Sequence, residues 1–594
     1  MLTFAVTRAA LIGAIALSAY GFGAPFLGRL RLAGPGERVA FGVTLGLGVL
    51  GTASLLLGLV GALHRTTVMI LAAAGVALAV YSVGQHRAAA EDGLPCRGWL
   101  RTATIAIGAA AFALTFARAL YPPTAFDATL YHLPMAKAYA AHGRVAPNPD
   151  LRFPVFPALN ETLFADAMLL GDDVTAQLVE TLFFGLLTLG VAAWGARAAG
   201  APAAFWASAL WIANPVVVSL ASVAYVDMGL AAFGFFAVYA SARWLESEDP
   251  RWAGLAGAFA GFAAATKYSG LFFVVLVAAL LALRRSRRAL LVFLAAAAAA
   301  GGTSYASNAL WTGNPVWPFG GWLFGLRYWN SNDVASLDWS LRSYGWGRSA
   351  LDLLRLPYRL VFEQPGAEPR VLPLLFVLFP LAVWAAIRRR ELRWPAAAAA
   401  AYLVFWFAAT QQIRFLLPVV PVLSVLGASG LFAAVERTRS DWRRRWRVAV
   451  TIGMATLAAA ALVVVFRGVW TNPPVPTTLS ERERYLERLM SYPFYRDLNR
   501  QTRGNYAVYA FHDENMRYYC DGRHLGDWFG PNRYADVPLT TARALFDWLR
   551  KRGVSYLIVN QRARVPLPTG EDFASLFENV YTKGPIVAYA LRQP

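Results

Sequence analysis

The chain has 594 residues, of which 57% are hydrophobic and only 15% charged. A soluble domain carries about 25% charged residues, and a disordered chain needs low hydrophobicity with high net charge, so neither class fits. Two cysteines, Cys96 and Cys520, exclude a disulfide scaffold and a cysteine-rich zinc module. A net charge of +20 would suggest nucleic acid in a soluble protein, but its distribution gives a simpler cause.

A helix that spans a bilayer needs about 20 mostly apolar residues. Fourteen stretches qualify or nearly do: 5–27, 40–61, 67–83, 103–119, 174–196, 202–219, 225–242, 252–266, 268–283, 289–305, 371–387, 395–410, 415–434 and 448–467. The pair flanking Lys267 is short for spans. The first stretch has one early Arg and no small-residue cleavage site, so it reads as a retained helix and not as a signal peptide.

Alternate loops are rich in arginine. They hold Arg29, Arg31 and Arg38, then Arg87, Arg97 and Arg101, then Arg197, then Arg243 and Arg251. The series continues with Arg284, Arg285, Arg287 and Arg288, with Arg388, Arg389, Arg390 and Arg393, and with six arginines between Arg437 and Arg447. The short loops between them hold only Arg65, Lys267 and Arg414. The rich side is therefore expected to be cytoplasmic, and no nucleic acid is needed to explain the charge. Three long polar segments, 120–173, 306–370 and 468–594, then fall on the opposite side. Cys96 and Cys520 lie on different sides and cannot pair.

The reading divides the chain into N-terminal helices (1–102), a membrane core (103–305) with its first loop at 120–173, a large loop (306–370), C-terminal helices (371–467) and a soluble α/β domain (468–594). In that domain Ala507–Phe511 and Val554–Asn560 read as strands. Thr541–Arg552 between them has helical spacing of Ala544, Leu545 and Leu549.

Two acids stand beside spans on the outer side. Asp127 lies in Phe126-Asp127-Ala-Thr-Leu-Tyr131-His132-Leu-Pro134, and Asp227 in Tyr225-Val-Asp227-Met. Carboxylates near a membrane are costly unless paired or functional, yet each also suits a helix N-cap. Only four of the 55 basic residues are lysines, 137, 267, 551 and 583. Lys137 and Lys267 belong to outer-facing membrane text, where an ammonium suits a phosphate as a point charge or snorkels at a helix end. Arg414, in Gln412-Ile-Arg414-Phe-Leu-Leu-Pro418, suits an anionic headgroup or an interface anchor. Asn160 and Glu161 are further polar candidates, whereas Asn308–Pro318 reads as a structural turn and His512-Asp513-Glu514 as a solvated one. There is no Walker A loop, G-x-S-x-G elbow, H-E-x-x-H or His/Cys metal cluster.

The ordered set of Asp127, Asp227, Lys267-Tyr268, Gly313-Asn314-Pro315 and Gln412–Pro418 resembles the GT-C glycosyltransferases, in particular bacterial relatives of protein O-mannosyltransferases and lipid A aminoarabinose transferases. The resemblance covers roughly 103–467. It implies a mainly α, polytopic fold of about 14 helices in a bacterial inner membrane, with the site and C-terminal domain in the periplasm. It implies transfer of a sugar from a polyprenyl-phosphate donor to a hydroxyl of a glycan, lipid or protein acceptor, with inversion. Asp127 would then be the base and Asp227 its catalytic partner. Lys267 and Arg414, with Lys137 in reserve, would hold the donor phosphate. Tyr131, His132, Asn160, Glu161 and Tyr268 would contact substrate. No cofactor is required, and a divalent metal is compatible but not indicated. Asp127 is followed by Ala where protein mannosyltransferases have an Asp-Glu pair, which counts against a protein acceptor. A transporter or lipid flippase is an alternative. So is a surface-polysaccharide ligase or polymerase using Arg327, Arg342, Arg348, Arg355, Arg359 and Arg370.

Overall fold

The computed structural model describes residues 2–28, 30–32, 34–86, 98–364 and 370–592. Arg29, Arg87, Cys96 and Arg97 lie outside them. Among the described residues ten helices are long and apolar enough to cross a membrane, and the protein is a multi-pass membrane protein. The fourteen expected stretches map onto these ten, one of them folded double, and onto three shorter helices, Pro250–Thr266, Leu271–Leu283 and Phe379–Arg388.

The doubled helix is Asp173–Ile212, 40 residues with non-helical backbone at Ala199 and Gly200, where φ at Gly200 is +77°. Trp211 Nε1 donates to Thr188 Oγ1 at 3.0 Å, although the two residues are 23 apart. In a straight helix that separation is about 34 Å, so the segment is a hairpin.

Close helix contact elsewhere is licensed by glycine. A Cβ at Gly46 would stand 1.6 Å from the Ala19 carbonyl, and one at Gly21 1.8 Å from that of Gly75. The first three helices, Leu2–Gly23, Pro35–Leu59 and Arg65–His86, thus meet backbone to backbone. The most enclosed span is Asp227–Ser247, 94% buried over its apolar window, so the chain places Asp227 at the tip of the bundle's central helix.

The C-terminal domain carries five strands: β1 (Ala507–Phe511), β2 (Arg523–Leu525), β3 (Tyr556–Asn560), β4 (Phe577–Lys583) and β5 (Ile586–Leu591). Their order is β2-β1-β3-β5-β4. β1 runs parallel to β2 and β3, and β5 antiparallel to β3 and β4. All five β1 residues are buried, because Ala542–Lys551 covers one face with Leu545, Phe546 and Leu549, and Tyr492–Thr502 covers the other with Phe494, Tyr495 and Leu498. β1, β3 and the helix between them follow the sequence reading. β2 is three residues long, and β4 interleaves Glu578, Asn579 and Lys583, so neither carries a strand-like pattern.

One expectation is corrected here. Asp513 and Glu514 are not in a solvated turn but 6% and 4% exposed. Asp513 accepts from Ser491 Oγ at 2.8 Å and Tyr495 OH at 3.1 Å. Glu514 accepts from Trp528 Nε1 at 3.0 Å and Tyr534 OH at 2.8 Å. Their polarity is satisfied by Ser491 and by three aromatic donors that arrive from beyond the turn and cover it. Burial pushes the Asp513 carboxyl up to about 7.

The domain is tied to the first loop of the membrane half. Tyr518 OH donates to Asp173 at 3.0 Å, Tyr121 OH to the Pro473 carbonyl at 2.7 Å, and Arg523 Nε to Asp150 at 3.0 Å.

Candidate active site

Asp127 enters through an unusual local structure. Pro134 has no N–H to return to the preceding turn, and the ladder widens to a π-turn over Ala128–His132, with Leu133 N–H donating to the Ala128 carbonyl. Such turns recur at functional sites. Asp127 makes no cap hydrogen bond. Its backbone N–H donates to Tyr225 OH at 3.2 Å, and its carboxylate pairs with Arg414 Nη1 at 2.6 Å. Burial alone would raise that carboxyl, but Arg414, and behind it His132 and Arg152, more than offset this and hold it at about 2.

Arg414 is aimed by its neighbours. Helix Arg390–Ala409 ends at Thr410, and the chain tightens into a 3₁₀ turn at Ile413–Val419. Trp406 Nε1 donates to the Gln412 carbonyl at 2.8 Å and Tyr402 OH to that of Phe415 at 2.9 Å. The guanidinium then rests 5.2 Å from the Tyr225 ring centroid.

Asp227 also is no cap. It stands in the first turn after Val226 and accepts from Lys267 Nζ at 3.2 Å. Lys267 is the extended residue between Pro250–Thr266 and the turn Tyr268–Gly270. That joint needs glycine: a Cβ at Gly270 would stand 2.0 Å from the Ala263 carbonyl. The ammonium lies 3.9 Å from the Phe415 ring centroid. The cations of two acid–base pairs, Asp127–Arg414 and Asp227–Lys267, therefore both meet the Phe415 ring, Arg414 at 5.0 Å from its centroid.

Asp127, Tyr131, His132, Lys267, Tyr268 and Arg414 all line one cavity of about 760 Å³. Its remaining wall is largely aromatic, with Phe153, Phe156, Tyr402 and Trp406 among the contributors. Asp227, its side chain 4% exposed, lies beneath this wall.

Three expected contacts fall elsewhere. Asn160 and Glu161 are fully buried at 0% exposure, so neither touches the cavity surface. Helix Leu159–Leu170 turns both inward. Glu161 Oε1 pairs with His132 Nδ1 at 2.6 Å. Asn160 donates to Glu180 Oε1 at 2.8 Å and accepts from Thr266 Oγ1 at 3.2 Å. Glu180 Oε2 accepts from the N–H groups of Met228 at 3.0 Å and Gly229 at 3.3 Å. This buried chain joins the backbone after Asp227 to that before Lys267, and Glu180 meets the positive end of the central helix. Lys137 lies outside the cavity. It donates to Asp521 at 2.6 Å and lines a separate groove of about 710 Å³ beside the C-terminal domain, which Phe4, Asp172, Asp173, Arg482 and Tyr518 also line.

Sequence reasoning missed Glu180, Arg152 and Phe529. An acid inside otherwise apolar span text is a signal for Glu180. Arg152 lines the cavity and donates through Nε to Asp527 at 2.9 Å. Phe529, from the C-terminal domain, lies 4.5 Å from that guanidinium and joins the wall. A Cβ at Gly530, where φ is +94°, would meet the Arg152 carbonyl at 2.9 Å, so the domain closes over the cavity at glycine. Of Arg327, Arg342, Arg348, Arg355, Arg359 and Arg370, none lines the cavity. Asn308 donates to Tyr268 OH at 3.0 Å, and Asn314 holds its own turn through Val316 N–H at 3.0 Å.

The fold is that of the GT-C membrane transferases. The chain is similar to the crystal structure of ArnT from Cupriavidus metallidurans bound to undecaprenyl phosphate, with a TM-score of 0.51 and 15% identity, over 82% of this chain and 97% of that one. Its apo state gives a TM-score of 0.48 at the same identity and coverage. The family model described as SF2091/S2213 matches residues 481–590. The uncharacterized protein SF2093/S2215 of Shigella flexneri is 29% identical over 124 residues, which is 20% of this chain and 62% of that relative. The chain thus spans less than two thirds of the curated relative it matches.

Proposed function

We propose that the protein is a glycosyltransferase that moves a sugar from a polyprenyl-phosphate donor to an acceptor hydroxyl on the periplasmic face of a bacterial inner membrane. The convergence of Asp127, Arg414 and Lys267 on one aromatic cavity, with Asp227 holding Lys267 from beneath its wall, supports this reading. The bound undecaprenyl phosphate of ArnT agrees with it.

The acceptor oxygen attacks the anomeric carbon while the bond from that carbon to the phosphate oxygen breaks. The electron pair leaves with polyprenyl phosphate, and the acceptor proton passes to Asp127, with inversion at the sugar. Asp127 is ionised at neutral pH. Arg414 and Lys267 are the cations for the donor phosphate. As Arg414 turns to the phosphate it releases Asp127, so donor binding turns a strongly paired carboxylate into a better base. Asp227 holds Lys267 and faces the positive charge that develops on the sugar. The aromatic wall offers stacking surface to the sugar and keeps water out.

Native mass spectrometry of the purified protein, gently stripped of detergent, tests the reading. A co-purifying polyprenyl phosphate or its sugar ester is expected. A different lipid or a polar solute, with no isoprenoid across several preparations, overturns it in favour of a transporter.

A further inference from the structure

The loop 306–370 contains a helix, Ala350–Phe362, whose surface is the reverse of a water-facing one. It begins at a capping box: the Ser349 hydroxyl accepts from Asp352 N–H at 3.1 Å, and the Asp352 carboxylate accepts from Ser349 N–H at 3.0 Å. The ion pair Asp352–Arg359 at 2.9 Å is turned inward, with side chains 19% and 14% exposed, and Arg359 also meets Glu363, just past the helix end, at 3.5 Å. Leu356 and Leu360 pack into the same core as the spans. Leu351, Leu354, Tyr358 and Phe362 face outward, 53%, 79%, 58% and 71% exposed. Spacings of three, four and four place these side chains on a single stripe. Arg355 is the charge that shares the exposed side.

The helix is fixed at the level of the candidate site. Arg359 Nη1 donates to the Trp346 carbonyl at 2.9 Å, and Trp346 N–H donates to Gln411 Oε1 at 2.8 Å. Gln411 lies in the short joint between the spans Arg390–Ala409 and Ile413–Glu436, which is where a bilayer surface must be. The loop also leaves the membrane along an apolar surface, with Leu310 84% exposed on the span before it and Trp322 90% exposed just after. A helix that turns Asp352 and Arg359 inward and presents Leu351, Leu354, Tyr358 and Phe362 outward is matched to an apolar medium bordered by a polar one.

We infer that Ala350–Phe362 lies flat in the membrane surface on the side of the C-terminal domain, with its apolar stripe among phospholipid acyl chains and Arg355 reaching the lipid phosphates. The occupant is the phospholipid of the membrane that the spans cross, because the stripe sits at the level where two of those spans meet. The segment just ahead supplies Leu337, Leu341 and Tyr344 to the cavity wall, so seating the helix in lipid seats that wall as well. This inference does not depend on the proposed reaction.

The test uses the full chain with Cys96→Ser, reconstituted in vesicles of phosphatidylethanolamine and phosphatidylglycerol. Single cysteines replace residues 350–362 one at a time and carry a nitroxide; the native Cys520 is buried. Collisions with oxygen, which enters lipid, are compared with those of a water-soluble nickel chelate. Oxygen should dominate at Leu351→Cys, Leu354→Cys, Tyr358→Cys and Phe362→Cys, with a helical period through the scan. The nickel chelate should dominate at Asp547→Cys, whose native side chain is 56% exposed on the C-terminal domain. Nickel dominance along the stripe means water and overturns the inference. Exclusion of both reagents there means a protein or a resident isoprenoid covers the face, and overturns it equally. Because four positions report the same quantity, one variant that fails to fold leaves the outcome decided by the others.

Discussion

The cavity at Asp127 and the groove at Lys137 are similar in size, about 760 and 710 Å³, and both are lined by paired acids and bases among apolar side chains. They differ in what the pairs connect. At the cavity, Asp127–Arg414 on its surface and Asp227–Lys267, whose acid lies beneath the wall, join elements of the membrane half, and the acids are 12% and 4% exposed. At the groove, Arg482–Asp173 on its wall and Lys137–Asp521, of which the lysine lines it, join the membrane half to the C-terminal domain, and the lysine pair is 39% and 48% exposed. Burial makes the cavity pairs strong and costly to leave unmatched. Solvent reduces the lysine pair to a tie worth about 0–1 kcal/mol. The same residue types thus line an enclosed cavity in one place and hold two parts together in the other.

The comparison breaks most readily at Asp127. Asp127→Asn should lower transfer by roughly 10²–10⁴-fold while gel filtration shows a normally folded protein; wild-type turnover would end its assignment as the base. Lys267→Ala should raise the donor KM by about 10–100-fold, the worth of one charge-assisted hydrogen bond, with less effect on the acceptor KM. Equal changes in both would show that Lys267 supports the fold and not the phosphate.

A pH series sharpens the contrast. Arg414 holds the Asp127 carboxyl at about 2, below its unfolded value near 3.9. Its stabilising contribution is present above that unfolded value and is lost as pH falls through about 2. Arg414→Gln leaves burial as the dominant influence, so the acidic limb of the activity profile should move upward; an unmoved limb would separate the two residues functionally. Asp513 behaves oppositely, since burial raises it to about 7. Its contribution is complete below its unfolded value near 3.9 and is lost as pH rises through about 7. Asp513→Asn should flatten the fall in thermal stability between about pH 4 and 7. The smallest effect is expected at Lys137→Ala, with stability changed by less than about 1 kcal/mol and turnover within about twofold of wild type. A loss as large as that at Lys267 would move the groove into the reaction.

Much of this was legible in the sequence, for identifiable reasons. Apolar runs report spans directly, because lipid demands them along the whole helix. Asp127, Asp227, Lys267 and Arg414 stood out because a charge beside apolar text is costly. The chain does not reveal the direction in which a short helix faces, and so Asn160 and Glu161 read as surface residues when both point inward. Nor does it reveal what arrives from elsewhere: the aromatic donors over Asp513 and Glu514, or Phe529 against Arg152, are separated from their partners by tens to hundreds of residues. Glu180 was readable in principle, as an acid inside span text.

Phe529 in the cavity wall, and Asp527 holding Arg152 of that wall, have a consequence for biogenesis. Both residues follow all ten described spans in the chain, so the membrane half meets the bilayer with its cavity unroofed. The cavity closes when the domain that carries them docks on Arg152, and a nascent chain halted before residue 526 is expected to be inserted with that cavity open.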